Sequence, residues 1–525
     1  MTVSHHIPPI AANDYTQSRA LILAGGGMRV AYQAGVIQAL SETGMRFSHA
    51  DGASGGTINL AALLSGISPV ELCQRWRTLN IQQFASLPPL NEVIQQGGIA
   101  ALGSADGLTQ HIYPGLGIDI PRINAASGIN ATFNVCRFDT KTVVPIPHTE
   151  INLPRLIAGA SLPIFMPAVE DNGVAWTDAV WIQDANLLAA VEHGARELWL
   201  VWCIGNTSQY KHDLFRQYVH MIEMSAIGAL NRELATIAQI NARIAQGEVI
   251  YGHIEPIVVH IIKPEYPLPL DPDFYLGRID AATLIDLGYR DTRHYLRTMT
   301  PHGTLLDASA TQMKTPSTGI SFRETMSGGF QLGSVLPAEG AQAGCATPLS
   351  MHATIHIRDI HAFVADPSHK AELSGHIDFA PFNTTVNTPI PAESGLFQLF
   401  APSDDPKLTY MVYELGFRHE GESYYLAGKK HVRVGAPWKL WSETTTLYST
   451  LHRGTDSTGP VIGAGILQLG VSELLKLLST FHPTEADTPC EAACATKQFF
   501  GFFAKELTRT YICQRPLAPT SIHSN

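Results

Sequence analysis

The chain reads as an α/β sheet domain followed by a second, mainly antiparallel β domain of α+β character. Three observations predict this: short apolar runs that end in glycine and feed helical spacing, a stretch poor in large apolar side chains just past residue 300, and a switch to period-two alternation beyond it. At 525 residues the chain has room for two domains or three, since one core rarely grows past about 250–300 residues.

Residues 20–26, Ala-Leu-Ile-Leu-Ala-Gly-Gly, read as a buried strand entering a turn. Val30, Ala34, Ile37 and Ala39-Leu40 then keep helical spacing. The pattern repeats: Phe47 to Gly52 leads into Ser54, and Ile58, Leu60, Ala61, Leu63 and Leu64 make the helix. Two strand-turn-helix units so close together predict a sheet with helices on both faces. Residues 131–137 and 197–202 read as buried strands, 222–245 as a long helix, 249–254 and 257–262 as late strands, and Asp280 to Leu287 as the start of a closing helix. The first domain is expected over 18–300, a linker over 301–322 and a β-rich accessory domain over 323–525. In the last, Met351, Ala353, Ile355 and Ile357 alternate with His352, Thr354, His356 and Arg358, and 396–400, 408–415 and 424–427 are β-favouring runs in a sandwich or barrel. Residues 471–478 and 499–507 return to helical spacing.

Composition excludes several classes. Net charge is −11 with Lys and Arg scattered, so nucleic acid is not an expected partner. Residues 1–20 do not read as a secretory leader, and no run reaches the roughly 18 apolar residues of a membrane span. Seven cysteines, an odd count, point to reduced thiols and a cytoplasmic setting. Cys490 and Cys494 lack a second pair and make a poor zinc site.

Chemistry concentrates in three segments: Gly25-Gly26-Gly27-Met28-Arg29, Gly52-Ala53-Ser54-Gly55-Gly56 and Asp178. Small residues around Ser54 permit a tight strand-to-helix elbow that presents the hydroxyl in a cleft, with the positive end of the next helix behind it. The Gly25–Gly27 turn has neither a dinucleotide fingerprint nor the Lys-Ser/Thr ending of a P-loop, so backbone N–H groups aimed at an oxyanion fit it better than phosphate. Arg29 either orients this loop or faces an anionic head group.

Leu23 to Gly35, Gly52 to Gly56, Ala160 to Pro167 leading to Trp176-Thr-Asp178, and His193-Gly-Ala195 occur in an order and spacing that resemble the patatin-like phospholipase family across roughly residues 18–300. The resemblance implies a three-layer α/β/α domain in which Ser54 is the nucleophile, Asp178 its base, Gly25, Gly26 and Gly27 the oxyanion hole, and Arg29, Gly52 and Gly56 supporting residues. It implies no metal and no cofactor at the site. A carboxylate suffices as base where a cleft excludes water and raises its pKa, and His193 is expected to be structural. One departure stands out: Ala179-Val180 follow Asp178 where the family has two small residues, and Asp184 and Asn186 replace an Asn and a Pro. Asp184 is the competing base. A left-handed backbone at Ala179 would cost about 1–2 kcal/mol and weaken the dyad. Leu162, Ile164, Phe165 and Met166 are either acyl-chain contacts or core.

In the second domain, residues 326–330, 428–432, 440–448 and 463–467 resemble the accessory region of cholesterol-oxidase-like flavoproteins. With no dinucleotide fingerprint in either half, this implies only a lipid or sterol setting, the domain either holding an acyl chain or serving as a scaffold. The expected function is a lipid acyl hydrolase working through an acyl-serine, peripheral at membranes where its lipid ester lies. The alternatives are a lipid-binding protein with a decayed site and a lipid acyltransferase.

Overall fold

The computed structural model describes residues 6–12, 18–80, 101–382 and 388–513. Residues 1–5 and 13–17, on which part of the leader reading falls, lie outside the described residues. The chain divides into two units, Met1–Thr315 and Pro316–Asn525.

In the first unit, the apolar run before the glycines forms β1 (Arg19–Leu23), and α1 (Ala31–Ser41) follows the Gly turn. β2 (His49–Ala53) leads through Ser54 into α2 (Gly56–Leu64). β3 (Asn130–Arg137), β4 (Thr142–Pro147), β5 (Val169–Asp171), β6 (Val174–Asp178), β7 (Glu197–Val201) and β8 (Val258–Ile262) complete a sheet of order β5-β6-β3-β2-β1-β7-β8, with β4 paired to β3. The β3-β2-β1-β7-β8 core is parallel, and the β4, β5 and β6 pairings are antiparallel. β1 is buried on both faces. Leu21 and Leu23 enter a core with α1, α2 and the helix Ala281–Thr298, while Ala20 and Ile22 enter another with the helices Leu187–Glu192 and Leu214–Ile244. This is the layered arrangement that such two-sided strands require. Strand order reverses between β1 and β7, and in open α/β sheets that switch point opens a crevice at the strands' carboxyl ends.

The strand expected over residues 249–254 is instead a reversal with an isolated Ile250–His253 bridge. Tyr251 (φ 50) and Gly252 (φ 82) are left-handed, which breaks the extended backbone, and Val249, Tyr251 and Ile254 point into solvent.

The second unit begins its first strand within the stretch expected as linker. β9 (Gly319–Leu332), β10 (Pro348–Ile357), β11 (Lys370–Phe379), β12 (Ile390–Pro402), β13 (Leu408–His419), β14 (Glu422–Arg433), β15 (Thr446–Arg453) and β16 (Val461–Gln468) pair antiparallel in chain order. β9 pairs with both β10 and β16, so the sheet closes on itself as an eight-stranded antiparallel barrel, and β17 (His482–Thr484) adds to β9. Closure removes the sheet edges that would invite pairing with other chains. Alternation fills the interior: Ile320, Phe322, Met326 and Phe330 from β9 meet Leu373, Ile377 and Phe379 from β11 and Leu415 and Phe417 from β13. Glu324, Tyr413 and Lys430 reach into that interior, and they satisfy one another. Lys430 Nζ donates to Glu324 Oε1 at 2.5 Å, and Tyr413 Oη to Glu324 Oε2 at 2.6 Å.

Candidate active site

The glycines around Ser54 answer specific close approaches. A Cβ on Gly56 would stand 2.1 Å from the Leu23 carbonyl oxygen, and one on Gly52 3.1 Å from Leu60 Cδ2, so only small residues let α2 start this tightly against β1 and β2. The reversal between β2 and α2 falls on Ser54 itself, a non-glycine residue held at φ 47. A left-handed serine costs energy that the packed neighbours must offset, and it places the hydroxyl at the carboxyl end of the sheet.

Ser54 Oγ donates to Asp178 Oδ2 at 2.6 Å, and both residues are buried. Asp178 closes β6, whose last residues are fixed by Thr177 Oγ1 and Asp178 N, both donating to the Ser161 carbonyl. The other carboxylate oxygen, Oδ1, accepts the Val180 N–H at 2.9 Å. Burial pushes the Asp178 carboxyl up to about 7, against the opposing pull of the Ser54 and Val180 hydrogen bonds. A carboxylate poised there matches a general base working near neutral pH.

The departure at Ala179-Val180 proves harmless in geometry. Ala179 does not adopt a left-handed backbone, it is fully buried, and its carbonyl accepts from Ile182 and Gln183 N–H. The residue that follows supplies the N–H that holds Asp178.

Asp184, the competing base, sits elsewhere. Its Oδ2 accepts the Gly25 N–H at 2.9 Å, and its Oδ1 is buried with no hydrogen-bond partner among the described residues. Burial, then the Asp178 charge, lift its carboxyl well above the usual carboxylate range. A Cβ on Gly25 would lie 2.4 Å from Asp184 Oδ1 and 2.6 Å from Ser54 Cβ, so Gly25 is the point where loop, elbow and acid meet.

The rest of the Gly loop is held by a buried polar net. Arg29 Nε donates to the Gly26 carbonyl at 2.9 Å, Gln33 Nε2 to the Ala24 carbonyl at 2.6 Å, and Asn59 Nδ2 to the Val30 carbonyl and Gln33 Oε1. Arg29 is thus bonded to the loop's own backbone. Asp271 Oδ1 takes the Met28 N–H at 3.2 Å from outside. With Gly25 and Met28 engaged, the Gly26 and Gly27 N–H groups are those that hold no acceptor among the described residues, and Gly27 (φ 57) packs against the elbow at Gly55.

Next to the dyad, Ile164 is 57% exposed, whereas Leu162, Phe165 and Met166 are half-buried, with Leu162 and Met166 packed against the hydrophobic core. Ile164 is tied to Leu102, also exposed, through the Leu102 N–H and the Ile164 carbonyl. A separate depression of about 380 Å³ opens between residues 205–210 and the helix Leu214–Ile244, lined by His220, Glu223 and Met224 and touching neither Ser54 nor Asp178. His193 lies on the surface, its Nδ1 2.6 Å from the Ala189 carbonyl oxygen. All seven cysteines are free thiols, and among the described residues no helix is long and apolar enough to cross a membrane. Sequence reasoning missed Asp184 as a loop anchor and Asp271 altogether, since nothing local to either residue announces a partner so far along the chain.

Residues 21–191 match the sequence model of the patatin-like phospholipase family. No curated protein matches the chain. Among solved structures, VipD from Legionella pneumophila is similar at 12% identity and a TM-score of 0.31, covering 55% of this chain and 68% of that one. A chain of the complex of full-length ExoU with SpcU, from the type III secretion system of Pseudomonas aeruginosa, is similar at 16% identity and a TM-score of 0.17, covering 46% and 60%. Nothing in these matches supports a likeness of the second unit to the accessory region of cholesterol-oxidase-like flavoproteins. The family match thus runs over the first unit from β1 to the helix after β6, and this part of the chain is similar to patatin-like phospholipases.

Proposed function

We propose that the first unit hydrolyses carboxylic esters of lipids through an acyl-serine intermediate. The observation that carries this reading is the strained Ser54 with its Oγ 2.6 Å from the buried Asp178 Oδ2. Ser54 Oγ attacks the ester carbonyl carbon as its proton moves to Asp178. The oxyanion of the tetrahedral intermediate is received by the Gly26 and Gly27 N–H groups, each oxyanion donor of this kind being worth about 2.7–4 kcal/mol. Collapse breaks the ester C–O bond, and Asp178 returns the proton to the departing alkoxide. Water then gives a proton to Asp178 as its oxygen attacks the acyl carbon. Breakdown of this second intermediate frees the fatty acid and restores the Ser54 hydroxyl.

A lipid ester is favoured over a small polar one because exposed Ile164 and Leu102 lie beside the dyad's strand connection, and because the family match is to lipid-hydrolysing proteins by its own description. Of the two features that suggest a decayed site, Ala179-Val180 and the extra domain, the first leaves the Asp178 hydrogen bonds intact. Fatty-acid release from phospholipid mixed micelles tests the reading. Wild-type chain should release acid and Ser54→Ala should not; equal release by both would refute it. Added acceptor alcohol separates hydrolysis from acyl transfer by the product formed.

A further inference from the structure

The outer wall of the barrel holds a cluster unrelated to the dyad. In the antiparallel register Thr325 of β9 faces His352 of β10, and His352 faces His376 of β11. Asp378 follows His376 by two residues, so it projects from the same face. The two imidazoles stack with centroids 4.6 Å apart and planes 13° from parallel. His352 Nε2 lies 3.0 Å from Asp378 Oδ2, and its other nitrogen, Nδ1, lies 3.1 Å from Thr325 Oγ1.

We propose that His352, His376 and Asp378 bind a divalent transition cation of the zinc type. One ligand atom from each residue falls within 4.8 Å of the other two, and among the described residues no other group of three His, Cys, Asp or Glu meets that condition. Tetrahedral zinc with bonds near 2.0–2.1 Å sets its ligands about 3.4 Å apart. The His352–Asp378 pair is already that close, and the rest is reached by side-chain rotation on a rigid backbone. Two imidazoles and one carboxylate suit zinc-like ions, whereas calcium or magnesium requires a shell of oxygens. The Thr325 hydroxyl on Nδ1 fixes the ring and leaves Nε2 for the metal, the outer-shell support that ligating histidines ordinarily have. Side chains of His352 and Asp378 keep 34% and 26% exposure, which gives a cation its route in and leaves the fourth position to water. The neighbouring His356 differs, its Nε2 lying against Ser374 Oγ at 3.0 Å. Sequence reading assigned no metal ligand here, because two of the residues come from one strand and the third from another.

The test uses the full chain, stripped with a chelator and dialysed, titrated with Zn²⁺ by calorimetry and with Co²⁺ by visible absorption. One equivalent of each should bind, Co²⁺ with the intense absorption of a tetrahedral centre. His376→Gln and Asp378→Asn should each weaken binding at least about 10-fold, with Thr325→Val weakening it less. Asp378→Asn preserves volume at a partly exposed position, so it reports even where the His376 variant folds poorly. Absence of a stoichiometric site on folded wild-type chain, or unchanged affinity and Co²⁺ spectrum in Asp378→Asn, overturns the proposal.

Discussion

Both units bury polar side chains, and they do so to opposite ends. Inside the barrel, Glu324, Tyr413 and Lys430 form a closed set in which each partner answers another. At the carboxyl end of the first unit's sheet, the set is left incomplete: among the described residues Gly26 and Gly27 N–H have no acceptor and Asp184 Oδ1 has no partner, and Ser54 is held in a strained backbone. Packing can support either arrangement. The difference is that a satisfied network specifies a structure, whereas an open one is completed by something from outside.

The largest effect that sharpens this contrast is expected at the dyad. Asp178→Asn should lower ester hydrolysis by roughly 10²–10⁴-fold, the usual worth of a general base, while raising the melting temperature at pH 8. The sign follows from the raised carboxyl. A folded pKa of about 7 against an unfolded value near 3.9 means that the contribution to stability is full below pH ~4 and is lost as pH rises through 7. The stability gain of the variant should therefore vanish at pH 4, and wild-type activity should rise with pH through about 7 as Asp178 ionises. An activity loss accompanied by lower stability at pH 8 would place Asp178 with the structural networks instead.

The barrel should behave in reverse. Lys430→Met leaves the Glu324 carboxylate buried without its cation and is expected to cost about 3–5 kcal/mol in denaturant unfolding, whereas adding Glu324→Leu should recover most of it. If the single variant unfolds like wild type, the interior set is not what holds the barrel's core in place. Between these lies Gly25→Ala, which should cost about 1–3 kcal/mol by crowding and lose most activity, because the new methyl meets both Asp184 and Ser54. Retained activity would show that the Gly loop tolerates displacement.

How much of this was legible depends on how local the signal is. β1, the Gly turn, α1 and the Ser54 elbow could be read because apolar runs, glycines and helical spacing all fall within a few dozen residues of one another. The partnership of Gly25 with Asp184 spans 159 positions and that of Met28 with Asp271 spans 243, and neither aspartate sits in a pattern that names its partner. Alternation over residues 351–357 marked a strand, but the pairing of β9 with both β10 and β16, which makes a barrel of the sheet, is a long-range choice. Residues 249–254 misled in the other direction: β-favouring side chains surround Tyr251-Gly252, whose left-handed backbone ends any strand.

The central claim is that Ser54 is an activated nucleophile driven by Asp178, and fluorophosphonate labelling of the purified full chain tests it most directly. The account predicts covalent labelling of the wild type, none of Ser54→Ala and little of Asp178→Asn, with all three folded by circular dichroism. Labelling that persists in Ser54→Ala, or its absence from folded wild-type chain, would contradict it.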